Sequence, residues 1–157
     1  IFRLLLVGDG DTMQLLRRTA RFLQLEDLIV FTGRVSHDEV QKYYSLIDIA
    51  PLPRKGLRVC ELVSPLKPFE AMGSGKVLVT SSVQALAEIV QDGITGLVFE
   101  KDNSQDLAEK LEIPLLDENL RSEIGTNANK WVKENHSWEV ISERVTKIYD
   151  KILEEKK

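Results

Sequence analysis

Apolar residues along this chain fall in short unbroken runs that alternate with stretches of helical period, and the alternation predicts the order of its elements. Phe2 to Val7 is almost continuously apolar and ends at Gly8-Asp9-Gly10, the pattern of a strand buried on both faces that hands over to a turn. From Thr12 to Leu25 the period changes: Leu15, Leu16, Ala20 and Leu23 recur at helical spacing, with Arg17, Arg18 and Arg21 on the wet side. Leu28 to Thr32 is a second apolar run closed by Gly33, and Ser36 with Glu39 three positions on forms a capping box for a helix through Ser45.

Ile47 to Leu52 reads as a third strand stopped by Pro53, followed by a loop over Arg54 to Val63 with no clear period. Ser64-Pro65 is expected to open the next helix, since serine caps and proline suits the first turn; the helix runs to Met72 before Gly73 and Gly75 end it. Val77 to Thr80 is a fourth buried strand, Gln84 to Val90 a short helix, and Gly93 with Gly96 a tight turn into a fifth strand, Leu97 to Phe99. The remainder is helical in segments near 104–112, 117–134 and 137–154, with Ser137 capping the last and a solvated charged end at Leu153 to Lys157. Strands that are apolar along their length and alternate with helices predict an α/β fold: a parallel, doubly wound, Rossmann-like sheet with three C-terminal helices.

Composition narrows the function classes. A chain of 157 residues with 43% apolar and 29% charged residues fits one globular domain. A net charge of −4 argues against a nucleic-acid or anionic-membrane surface, both of which call for a basic face. Cys60 is the single cysteine, so no internal disulfide forms, no metal site is proposed, and the expected compartment is cytoplasmic. No run is long enough to span a bilayer. Because Phe2 already belongs to a buried strand, the chain is expected to be a piece of a longer protein.

The richest stretch for chemistry is CELVSPLKPFEAMGSGKVLVTS. A loop holding Glu61 feeds a helix with Lys67 near its N-terminus and Glu70 one turn in. Unpaired N–H groups and the positive end of the dipole attract a diphosphate there, and Lys67 adds a full charge. Glu70 can accept two hydrogen bonds at once, which suits the vicinal hydroxyls of a ribose; a plain solvated helix residue is the competing reading. Gly8-Asp9-Gly10 has Met13 where a dinucleotide fingerprint has its third glycine, so a tight turn is favoured over a pyrophosphate cradle. His37 and His136 read as surface or capping groups, Tyr43 and Tyr44 as packing, and Glu88 as structural.

Three segments in order, FTGRVSHDEVQKYYSLIDIAPLP, SPLKPFEAMGSGKVLVTSS and LAEIVQDGITGLVF, resemble the retaining glycosyltransferases called group 1, or family four, over nearly the whole chain. The resemblance implies the C-terminal, donor-nucleotide-binding half of a GT-B fold. It places Glu70 on the ribose, Gly33, Arg34 and Val35 under the base, Ser64, Leu66 and Lys67 at the diphosphate, and Glu61 at the donor sugar. The family separates its two glutamates by seven residues; here Leu62 holds the position of the first, with Glu61 one residue earlier, as in a subgroup reading TELVTPLKPLEAM.

The resemblance further implies a nucleotide-diphosphate sugar as substrate, no cofactor and no metal. It also implies an absent N-terminal domain that binds a glycan or lipid-linked acceptor and makes any peripheral membrane contact. One upstream strand and helix of this domain, bearing the family's main diphosphate-binding Arg and Lys, are expected to be missing as well. The strand edges of Phe2–Val7 and Ile47–Leu52 would then invite a homodimer or strand exchange. On this view the isolated chain binds donor weakly and transfers nothing. The rival readings are a sugar-nucleotide 2-epimerase, for which no acid/base pair is found, and a non-catalytic interaction module of the same fold.

Overall fold

The computed structural model describes residues 2–155, which fall into two compact units divided between Ile47 and Asp48. In the first unit, strand β1 (Leu4–Val7) leads through helix α1 (Met13–Phe22) and a short 3-10 turn (Glu26–Leu28) to strand β2 (Ile29–Gly33). The strands pair in parallel, Leu4 opposite Ile29 through Leu6 opposite Phe31, and a register shift at Val7 brings it opposite Gly33. A crossover helix is what joining two parallel strands requires. Arg17 of α1 lays its guanidinium over the Phe31 ring, 4.4 Å from the centroid, and so fastens the helix to β2. A 3-10 turn (His37–Glu39) then leads into α2 (Val40–Leu46).

The capping box expected at Ser36 takes a different form. The Ser36 hydroxyl donates to the Glu39 carboxylate at 3.0 Å, and no side chain caps the backbone there. Tyr43 and Tyr44 are half-buried on α2.

The second unit holds the larger sheet. Strand β3 (Ile49–Leu52) pairs in parallel with β4 (Val77–Ser81), and β4 with β5 (Leu97–Phe99), giving the order β3-β4-β5. All of β4 is buried, the apolar Val77, Leu78 and Val79 and the polar Thr80 and Ser81 alike. Between β3 and β4 lie α3 (Arg58–Leu62) and α4 (Lys67–Gly73), between β4 and β5 lies α5 (Gln84–Ala87), and α6 (Ser104–Leu116), α7 (Glu118–His136) and α8 (Trp138–Glu154) follow β5. Val77 and Val79 of β4 meet Leu97 and Phe99 of β5 and Ile124 of α7 in the core, with Leu107 and Leu111 of α6 packed alongside.

The expected strands are all present and parallel, but β1 begins at Leu4 and is exposed at both ends, not buried on both faces, and among the described residues the ladders form two sheets and not one, because β1 pairs with β2 and β3 with β4. Three local expectations are corrected. The stretch 54–63 contains a helix, α3, whose five residues are too few to show a period. The helix expected from Ser64 starts at Lys67, with Leu66 at the cap position and a proline, Pro68, within the first turn. Pro65 biases Ser64 away from helical backbone, and Pro68, not Pro65, takes the place proline tolerates. Helix α6 runs through Pro114 to Leu116, beyond the expected end near 112, and Arg121 donates to the Pro114 carbonyl at 2.7 Å. Ser137 does cap α8, accepting from the Val140 N–H. Of the charged end at Leu153 to Lys157, Lys156 and Lys157 lie outside the described residues.

Candidate functional site

The turn after β2 is shaped by its glycine. Gly33 has φ +71°, in the left-handed region that a side chain resists, and its carbonyl accepts from the Gly8 N–H at 2.9 Å. That bond ties the Gly8-Asp9-Gly10 turn to the Gly33–Val35 turn at the carboxyl ends of a parallel strand pair, where open α/β sheets bind ligands. The Thr32 hydroxyl also donates to the Gly33 carbonyl, at 2.9 Å. Arg34 is exposed and Val35 half-buried. These residues belong to the first unit, and Glu61 through Glu70 to the second.

In the second unit α4 carries the two residues singled out for a diphosphate and a ribose. Lys67 is its first residue and is exposed; Glu70 sits in its first turn and is half-buried. Ser64 and Leu66 precede it, both exposed, Leu66 at 75%. The other end of α4 closes as glycine permits: Gly75, φ +69°, donates to the Met72 carbonyl at 2.9 Å and Lys76 donates to the Ala71 carbonyl at 3.0 Å, the paired bonds of a Schellman end.

Helix α4 is fastened to α7. The Asn129 side-chain amide donates to the Gly73 carbonyl, and Gly125 lets α7 come against the Gly75 backbone. At the far end of α7 the His136 ring meets Phe69 of α4, with centroids 4.8 Å apart, and Trp131 of its own helix at 4.7 Å. His136 is therefore a packing residue on the back of the candidate site and not a cap. Its pattern in the sequence, a lone polar ring at a helix end, gave no sign of this.

Burial, with a contribution from the Arg144 charge, holds the His136 pKa below the usual histidine value. The folded state thus favours the neutral ring. The stability this contributes is complete above the unfolded value, about 6.5, and is lost as pH falls through the lowered folded value. Thermal melts between pH 8 and pH 5 are expected to show the parent losing stability on acidification relative to His136→Phe; parallel pH profiles would remove the ring from this role.

Glu61 is engaged within the protein. Its carboxylate accepts from the Gln84 backbone N–H at 2.7 Å and pairs with the Lys101 ammonium. The Lys101 hydrogen bond, then the Gln84 N–H, hold its pKa below the ordinary glutamate value against a small opposing effect of burial. Sequence reasoning missed both partners, which lie 23 and 40 positions away. Glu88 accepts from the Gln84 side chain at 2.9 Å, a local helix contact. Among the described residues, no three His, Cys, Asp or Glu side chains gather as a metal-ligand set.

The family model for glycosyl transferases group 1 matches residues 2–131. The chain belongs to this family. An uncharacterized glycosyltransferase of Methanocaldococcus jannaschii is 29% identical over 157 residues, covering 97% of this chain and 38% of the relative. A GDP-mannose-dependent alpha-(1-6)-phosphatidylinositol monomannoside mannosyltransferase of Mycobacterium tuberculosis is 25% identical over 146 residues, covering 90% of this chain and 37% of the relative. The Anabaena protein Alr3699/HepE, solved in complex with UDP, superposes with a TM-score of 0.79 at 21% identity, over 96% of this chain and 41% of that one. The parallel sheets and flanking helices are those of the GT-B glycosyltransferase fold. This chain spans about two fifths of the length of the curated relatives it matches. None of its described helices is long and apolar enough to cross a membrane.

Proposed function

We propose that the chain binds the nucleoside diphosphate portion of an activated sugar, within a retaining glycosyltransferase that passes the sugar to a glycan or lipid-linked acceptor. The observation that carries the reading is the build of α4: Lys67 at its first position and Glu70 in its first turn, on a helix whose back is fastened to α7. A carboxylate one turn from a helix start suits a ribose diol beside a diphosphate, with Ser64, Leu66 and Lys67 at the phosphates. Gly33, Arg34 and Val35 serve the base, and Glu61 the sugar.

Departure of a nucleoside diphosphate leaves negative charge on the phosphates and oxocarbenium character on the sugar, so the chemistry calls for charge stabilisation more than for a general base. The residues named supply that without a metal. The Mycobacterium relative is named for GDP-mannose and HepE was solved with UDP, so uridine and guanosine diphosphates are the first candidates. Acceptor binding falls to parts of the protein outside this chain, and a cytoplasmic location follows from a soluble activated donor.

Titration of the isotope-labelled chain with UDP, GDP and ADP tests the reading by amide chemical shifts. Shifts confined to residues 33–35 and 64–70 are the expected result. Silence with all three nucleotides would replace it with a non-catalytic module.

A further inference from the structure

Residues 53–66, the loop between β3 and α4 that includes α3, have three anchors. At the base the Arg54 guanidinium donates to the Val63 carbonyl at 2.7 Å. The other two anchors converge on one dipeptide in the turn that leaves β5. The Gly56 N–H donates to the Asp102 carboxylate at 3.0 Å, and Glu61 pairs with Lys101 while accepting from the Gln84 N–H.

An isolated surface ion pair carries little weight, because solvent screens it and both side chains lose freedom. This one is embedded differently. The Glu61 carboxylate also serves the start of α5, where Val83 at the cap position offers no side-chain acceptor. Asp102 holds φ +62°, a backbone state few side chains adopt, and from it reaches the Gly56 amide. A Cβ at Gly56 would stand 2.7 Å from the Asp102 carboxylate oxygen and 3.3 Å from the Lys101 side chain, so the loop meets this turn at a residue that leaves room for it.

We infer that Lys101 and Asp102 are positioning residues for the donor sugar: Lys101 sets the direction of the Glu61 carboxylate, and Asp102 holds the loop that carries it. The inference rests on the proposed role of Glu61 at the sugar. Neither residue touches the nucleotide in this account. Releasing Lys101 leaves Glu61 tied only to the Gln84 N–H and free to turn, while Gly33–Val35 and Glu70 keep the base and ribose. The sugar's share of the affinity falls and the nucleotide's share stays.

The test compares affinities for UDP-glucose and UDP, and for GDP-mannose and GDP, by amide-shift titration of the full chain, using the pair the parent binds. Lys101→Met is expected to lower the ratio of sugar-nucleotide to nucleotide affinity about fivefold, and Lys101→Arg to restore it, since the guanidinium keeps the pairing with the carboxylate. Asp102→Gly, which keeps the left-handed backbone and removes the acceptor, is expected to lower the ratio too and to speed hydrogen exchange at the Gly56 amide. A ratio unchanged in Lys101→Met, or equal losses for both ligands, overturns the inference while the nucleotide-binding reading stands. A parent that binds none of these four probes, nor ADP, overturns that reading itself, and this inference with it.

Discussion

Gly125→Ala is expected to destabilise the chain by about 2 kcal/mol, and so to lower its melting temperature by roughly 4–8 °C. The added methyl would lie 2.3 Å from the Gly75 carbonyl oxygen and 3.2 Å from its carbon, both backbone atoms. Neither side can yield easily. Gly75 is held in the left-handed conformation that closes α4, and Gly125 lies between Ile124 and Ala128, which are buried on the same helix. Overpacking of this kind costs about 3 kcal/mol. Alanine's better helix propensity returns about 1 kcal/mol, so the clash prevails. Chemical denaturation at constant m-value measures the difference. Equal or greater stability in the variant would mean that α7 and the Gly75 turn do not approach this closely.

If Glu70 holds the ribose as proposed, Glu70→Ala is expected to weaken nucleotide binding by about 1–3 kcal/mol, roughly 5- to 150-fold in Kd, because removing the carboxylate leaves two ribose hydroxyls without their acceptor. Glu70 is half-buried in the first turn of α4, on a helix pinned by Phe69, Gly73 and Gly75, so the truncation takes away a group whose place is otherwise fixed. A ribonucleoside diphosphate should suffer more than its 2′-deoxy counterpart, which has one hydroxyl fewer to lose. Undiminished affinity in a variant that melts like the parent would take Glu70 out of the site.

Much of this architecture is legible in the chain because it depends on local periodicity. Each apolar run became a strand: the solid run Val77 to Thr80 is the buried centre of the larger sheet, and the glycines at 33 and 75 stand where φ is positive. Helix α3 escaped because five exposed or half-buried residues show no preferred face. The start of α4 was misplaced because two prolines, Pro65 and Pro68, offer equal local signals, and the choice between them is made by packing: Pro68 is buried with Ala71 and Met72. The division of the strands into two sheets is a matter of pairing partners, which period does not encode.

The site is legible in a different measure. The places of Lys67 and Glu70 on α4 were legible because a helix start and a carboxylate one turn in form a pattern within four residues, and the roles proposed for them rest on that placement. The partners that hold Glu61 were not, since Gln84, Lys101 and Asp102 reach the loop from beyond β4 and no spacing rule links them. The same holds for Asn129 and His136, whose roles exist only once α7 lies across α4. Residue type revealed what chemistry is available, and tertiary contact decided which groups are already spoken for.

Helix α4 is bound along one side by Gly125, Asn129 and His136, whereas the neighbouring loop 53–66 is held by hydrogen bonds and an ion pair together with the packing of α3 against α5. These two walls differ in stiffness. Packed backbone yields only in jumps, while surface tethers can lengthen, exchange partners and re-form within nanoseconds. On the reading proposed above, the ribose would meet the more rigid of the two and the sugar the more compliant, so a change confined to the loop would alter the preference for the sugar while leaving the hold on the nucleotide in place.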